Sequence, residues 1–208
     1  MTINQSYNIP TQSVLFEEEI KKSRFITYLA HVQDVAQAKH YIQEIKQLHP
    51  QARHHCWAYI AGAPTDSQVL GCSDDGEPAG TAGKPILAQI MGSGLGQVIA
   101  VVVRYYGGVL LGTGGLVKAY GHGVQQALKL LQTKLYTPQI AYQLVCEYAQ
   151  IKTVESIIAQ NLGTIEQVDY GQLILMHIML PQEAVEQVQK QLQNCSKGQL
   201  TLIKTDSL

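Results

Sequence analysis

No two cysteines in this chain stand at C-x-x-C spacing. The four, Cys56, Cys72, Cys146 and Cys195, are widely separated. That argues against a disulfide framework or a zinc site and suits reduced thiols in a cytosol. No apolar run approaches the length of a membrane-spanning helix, so no membrane partner is expected. The opening "MTINQSYNIPTQ" has neither a basic n-region nor an apolar h-region and is not read as a signal peptide. The chain is expected to be cytoplasmic. Net charge is nearly absent, at −1 over 208 residues, which leaves no global field to draw in nucleic acid.

The common catalytic signatures are missing as well. A Walker A motif fails at Gly83–Lys84, because Pro78 stands where its first glycine belongs and Pro85 where Ser or Thr belongs. Gly112–Thr113–Gly114 is followed by Val117, not by the third glycine of a dinucleotide fingerprint. Met91 precedes Gly92–Ser93–Gly94, which rules out a G-x-S-x-G elbow. There is no HExxH, and "SDDGE" is too short for an EF-hand loop. "RHHC" (Arg53–Cys56) reads as a strand with one face wet, and a strand sends His54 and His55 to opposite faces.

What is present is material for a core: 46% of the residues are hydrophobic. The length fits one large domain or two small ones. Residues 12–19 and 23–32 alternate as strands. Asp34 caps a helix running to about Leu48, with Gln37 as capping-box partner and Pro50 as the stop. "ARHHCWAYIAG" and "SQVLGCSDD" are two further strands. "GEPAGTAGKP" is a loop, and a short helix begins near Pro85. "QVIAVVVRYY" is apolar throughout, hence buried on both faces. A helix capped by Thr113 then runs to about Gln132. "TKLYTPQ" reads as a linker. Beyond it come a strand (Ile140–Tyr148), a helix closed by Gly163, a hairpin (Thr164–Asp169 and Gln172–Leu180), a helix (Gln182–Gln193) and a strand (Gln199–Ile203). The order β-α-β-β-α-β is the ferredoxin-like pattern. The fold class is α+β with two domains, residues 1–135 and 136–208, divided near 134–138.

Charge and glycine point to one part of the first domain. Residues 1–135 carry eleven Lys and Arg against nine Asp and Glu (+2), and residues 136–208 four against seven (−3). All three arginines, Arg24, Arg53 and Arg104, lie in the first part. Gly115, Ala119, Gly123 and Ala127 form a small-residue stripe that lets a helix approach its sheet closely. Gly107, Gly108, Gly112 and Gly114 precede or open that helix, where unpaired N–H groups attract anions. A second loop-to-helix junction has Gly83 and Lys84. Arg104, Tyr105, Tyr106 and Lys118 flank the first, a set suited to a phosphate backbone with stacked bases. The plainer reading is that Arg104 pairs with Asp74, Asp75 or Glu77 and that one tyrosine packs inward. Those three acids form an acidic loop, either holding Mg²⁺ or neutralising nearby cations.

"SDDGEPAGTAGKPIL" (Ser73–Leu87) followed by "VVVRYYGGVLLGTGGLVKAYG" (Val101–Gly121) resembles the paired signature of the IMPACT family in its bacterial branch. "SRFITYLAHV" and "HHCWAYIAG" are similar to that family's N-terminal domain. The resemblance covers about residues 12–132, and the remainder is similar in pattern to the small ferredoxin-like domain that usually follows. It implies an N-terminal α+β sandwich similar to the fourth domain of elongation factor G. It also implies a non-enzymatic, translation-linked regulatory protein, since the eukaryotic relatives regulate translation by competing for an activator of a starvation-responsive kinase. The implied partner is RNA, a ribosome surface or a translation factor. No catalytic residue, metal or cofactor carries over. The functional surface it implies is Asp75, Gly76, Glu77, Pro78, Gly80 and Gly83 from the first motif. From the second it is Arg104, Gly107, Gly108, Gly112, Gly114, Gly115 and Lys118. Two other readings remain open: a metal-assisted enzyme acting on a phosphate-bearing small molecule through Asp74, Asp75 and Glu77, and a pure protein-interaction module.

Overall fold

The most apolar stretch of the sequence becomes the middle strand of the first unit. A computed structural model of the protein describes residues 6–205, and contacts divide the chain into Met1–Tyr136 and Thr137–Leu208. The first unit runs β1 (Tyr7–Pro10), β2 (Val14–Ile20), β3 (Ser23–His31), α1 (Val35–Leu48), β4 (His54–Ile60), β5 (Leu70–Ser73), α2 (Gly83–Gly92), β6 (Val98–Tyr105), α3 (Thr113–Leu130) and β7 (Thr133–Tyr136). Five strands form an antiparallel sheet in the order β2-β3-β6-β4-β5.

Period-two alternation gives β6 two apolar faces. Val98, Ala100 and Val102 join a core with α2 and α3. Ile99, Val101 and Val103 join another with α1. Each of these Val or Ile side chains removed from water contributes about 1.5–3 kcal/mol. Helices therefore cover both faces of the sheet, and β4 lies inside it. This corrects the expectation of a wet face at Arg53–Cys56: Cys56, Ala58 and Ile60 pack toward α2 and α3, and Trp57 and Tyr59 toward α1.

Local signals set several boundaries. Asp34 Oδ1 accepts the Gln37 N–H at 2.8 Å, and Gln37 Oε1 accepts the Gln33 N–H at 3.0 Å. Ala38, Ile42 and Ile45 form the buried stripe of α1. At α3 the cap is Gly112, with φ 74°, and Thr113 is the first helical residue. The chain enters this helix through a left-handed turn that threonine resists. Gly123 brings α3 onto β3, since a Cβ there would stand 2.5 Å from Thr27 Oγ1. The linker reading of "TKLYTPQ" also needs correction. Thr133–Tyr136 pairs antiparallel with Tyr7–Pro10, and the Tyr7 and Tyr136 rings lie 5.3 Å apart.

The second unit runs β8 (Gln139–Cys146), α4 (Ile151–Gln160), β9 (Thr164–Tyr170), β10 (Ile174–Pro181), α5 (Val185–Cys195) and β11 (Ile203–Lys204). Its sheet order is β11-β8-β10-β9 with every neighbour antiparallel, the ferredoxin-like arrangement. Leu144, Ile174, Met176, Val154, Ile158, Val188 and Leu192 meet in its core. The end of α4 differs in detail from the sequence reading. Leu162 takes the left-handed position (φ 57°), and Gly163 follows it, donating to Ile158 O at 3.0 Å. Gly163 is small for another reason: a Cβ there would lie 2.5 Å from Leu180 Cδ2.

Candidate functional site

The acidic loop after β5 is occupied by the protein itself. Asp74 Oδ1 accepts the Ala82 and Gly83 N–H groups at 2.9 and 2.8 Å, and Oδ2 accepts that of Gly80 at 2.8 Å. A carboxylate thus fills the N-terminus of α2, where the helix dipole favours negative charge. Burial pushes the Asp74 carboxyl up, but these three N–H groups and the charge of Lys84 outweigh it, and the group sits below its ordinary value. Asp75 Oδ2 accepts the His55 N–H at 2.7 Å, and Oδ1 pairs with Lys46 at 2.9 Å. Its carboxyl is likewise held low, burial again being outweighed by those partners. Glu77 is buried and accepts from Arg104 Nη1 and the Tyr120 hydroxyl, each at 2.7 Å.

The three carboxylates therefore serve three separate sets of partners. Among the described residues, no group of three His, Cys, Asp or Glu is placed to hold a metal ion. Cys56, whose thiol donates to Asp74 O, is pushed well up by burial and is no nucleophile at neutral pH. Gly83 is tied to Asp74, and a Cβ there would lie 2.8 Å from the Ser73 backbone.

A carboxyl held low stabilises the fold above the ordinary carboxylate pKa of about 3.9, and that contribution is lost as pH falls through the folded value. Asp74→Ala is expected to cost about 1 kcal/mol at neutral pH, as loss of a helix cap does. It should also flatten the decline of stability below about pH 4. Denaturant midpoints measured across the acid range check both; an acid limb as steep as in the parent chain would contradict the assignment.

The second motif divides into residues that brace the fold and residues that stay open. Arg104 is 5% exposed. Besides Glu77 it donates to Ser23 Oγ at 3.3 Å, and its guanidinium carbon lies 5.5 Å from the ring centroids of both Phe25 and Tyr106. Its Nε has no hydrogen-bond partner among the described residues. The expectation of a surface cation here is thus replaced by a buried ion pair with Glu77. Gly107 donates to Ser23 Oγ at 3.2 Å, and a Cβ on it would overlap the Lys22 carbonyl, so its bareness serves packing. Tyr105 is half-buried, its hydroxyl 2.9 Å from His49 Nδ1. Tyr106 is 42% exposed. Gly108 and Gly112 have φ of 83° and 74°. Gly114 has neither positive φ nor any atom within 4 Å of its missing Cβ.

The two motif loops meet at a cleft of about 420 Å³, whose lining includes Arg53, His54, Glu77, Tyr106, Gly112 and Thr113. Neither helix is capped by the side chain of its own N-cap residue, but Asp74 accepts the first N–H groups of α2, whereas among the described residues no side chain does so at the start of α3. Its 18 residues begin at the wall of this cleft. Arg53 is exposed and, among the described residues, has no ion-pair or hydrogen-bond partner. It is not among the site residues expected from the sequence, where "RHHC" reads only as a strand. Its rarity as one of three arginines was the available signal. Lys118 and Gly115 line a neighbouring hollow of about 640 Å³, separated from the cleft by Leu111, which lines both. Lys84 is exposed and lines neither.

The first unit belongs to a known class. Residues 21–128 match the family model described as the Impact N-terminal domain, and residues 144–199 match one described as a domain of unknown function, DUF1949. The IMPACT family member YigZ of Escherichia coli is 55% identical over 199 residues, covering 96% of this chain and 98% of that protein. An IMPACT family member of Haemophilus influenzae is 50% identical over 198 residues, covering 94% and 95%. A crystal structure described as that of a hypothetical protein matches with a TM-score of 0.75 and 54% identity, covering 98% of each chain. The chain belongs to the IMPACT family. Among the described residues, no helix is long and apolar enough to cross a membrane.

Proposed function

We propose that this chain is a translation-linked, cytoplasmic binding protein that holds an RNA phosphate backbone, free or on a ribosome surface, in the cleft between its two motif loops. The observation that carries this reading is the contrast between two helix starts. The N-terminus of α2 is filled by Asp74, whereas among the described residues no side chain fills that of α3, which opens beside an Arg53 that has no partner among them. Backbone N–H groups at Thr113 and Gly114, with Arg53, suit a phosphate. Tyr106, backed by the Arg104 guanidinium, offers a base a stacking face. Arg104 acts through this support and through Glu77. The enzyme reading has lost its metal ligands to internal partners, and the IMPACT resemblance carries no catalytic residue.

The test is fluorescence anisotropy with a labelled single-stranded oligonucleotide. Arg53→Ala is expected to weaken binding about tenfold, the worth of one charged hydrogen bond. Its melting midpoint should not change, because Arg53 is exposed and unpaired. A folded Arg53→Ala that binds as tightly as the parent chain would remove the cleft from consideration.

A further inference from the structure

The turn between β2 and β3 uses residues that its backbone disfavours. Ile20 pairs with Ser23, so Lys21 and Lys22 alone make the turn. Their φ values are 48° and 63°. A two-residue hairpin turn with positive φ at both positions is the territory of Asn-Gly or Asp-Gly. Two lysines there carry backbone strain and place like charges side by side. Both are exposed, and neither has an ion-pair partner among the described residues. What is fixed is the turn's position: the Lys22 carbonyl occupies the space left by the missing Cβ of Gly107.

Lys21 lines the 640 Å³ hollow, and Lys118, also without an ion-pair partner, lines it from α3. Glu18, near the end of β2, is paired with His122, which also lines the hollow, at 3.0 Å. Two cations without an ion-pair partner among the described residues, Lys21 and Lys118, thus line the hollow, Lys22 stands next to Lys21 in the turn, and the apolar Leu111 lines both the hollow and the cleft that holds Arg53 and Tyr106. Strained backbone persists where the surroundings hold it in place, and it collects at ligand sites.

We infer that the Lys21–Lys22 turn and Lys118 form a second phosphate subsite, so that the ligand is an extended single strand of RNA lying across both concavities, not a mononucleotide. This rests on the reading of the cleft given above. Two cationic hollows flanking an apolar ridge and an exposed tyrosine suit a strand whose bases are splayed out; a duplex would offer only phosphates.

The experiment uses the full chain and the double variant Lys21→Asn/Lys22→Gly, which keeps the turn and removes both charges. The probes are a labelled uridine oligomer of about twelve nucleotides, uridine monophosphate as competitor, and poly-glutamate as a polyanion without bases. The variant should bind the oligomer roughly tenfold more weakly at about 0.1 M salt, with a salt slope smaller by about 1.4, the share of two single-strand phosphate contacts. Its melting midpoint should be unchanged or higher, because the strain is relieved. Lys118→Ala should lose less and reduce the slope by about 0.7. Uridine monophosphate should compete poorly. A folded double variant that binds as the parent does, while Arg53→Ala has lost affinity, overturns the second subsite and leaves the cleft standing. Poly-glutamate binding as tightly as the oligomer overturns the RNA assignment in favour of an acidic protein partner. No binding of the oligomer by the parent chain overturns both readings.

Discussion

Arg104→Ala is expected to destabilise the first unit by about 3–5 kcal/mol, the cost of breaking a buried ion pair from one side. Glu77 would keep the Tyr120 hydroxyl but lose the one close cation it has among the described residues, since His54 Nε2 is 3.9 Å away and is charged only when protonated. The Phe25 and Tyr106 rings would also lose the guanidinium between them. Against a typical total of about 5–15 kcal/mol, that loss brings the unit close to unfolding. The companion variant Arg104→Met/Glu77→Gln removes both charges and should recover a large part of the stability, because a buried pair is worth little against neutral groups of similar volume. A single variant with a parent-like denaturation midpoint would show that Glu77 does not depend on Arg104. Lost RNA binding by Arg104→Ala would therefore say nothing about a direct contact, which is why Arg53 and not Arg104 is the informative position.

Gly107→Ala is the second large effect. The new Cβ would overlap the Lys22 carbonyl carbon and oxygen, and these are backbone atoms at a hairpin tip that cannot rotate away. Ser23 Oγ, which accepts from both Gly107 and Arg104, holds the two segments together. Overpacking of this kind costs roughly 3 kcal/mol or more. Its neighbours calibrate the result. Gly108→Ala meets no atom but must hold a φ of 83°, a cost of about 1–2 kcal/mol. Gly114→Ala meets no atom and has no positive φ, so it should gain about 0.5–1 kcal/mol. Chemical denaturation of the three variants should give that order. Equal midpoints for Gly107→Ala and Gly114→Ala would contradict the division of the glycines into bracing and open positions.

Local chemistry made much of this fold legible. Asp34 and Pro50 bracket α1, the unbroken apolar run marks β6, and the alternating pattern of the second unit yields its strand order. The sequence gives no such mark where the deciding partner is distant in the chain. That Arg104 pairs with Glu77 and not with Asp74 or Asp75 depends on how β6 packs beside the acidic loop, 27 residues earlier. That Asp74 caps α2 depends on the loop folding back over nine residues. Thr133–Tyr136 becomes a strand only because Tyr7–Pro10, at the other end of the unit, lies beside it. Of the glycines in the second motif, spacing alone could not separate Gly107, crowded by Lys22, from Gly114, crowded by nothing.

The most direct test of the central claim is an NMR titration of the ¹⁵N-labelled chain with single-stranded RNA, read at the two helix starts. The account predicts shifts of the Gly112, Thr113 and Gly114 amides and of the Arg53 side chain. The Gly80, Ala82 and Gly83 amides, already bonded to Asp74, should stay in place. Shifts confined to the α2 start, or to the second unit alone, would contradict it.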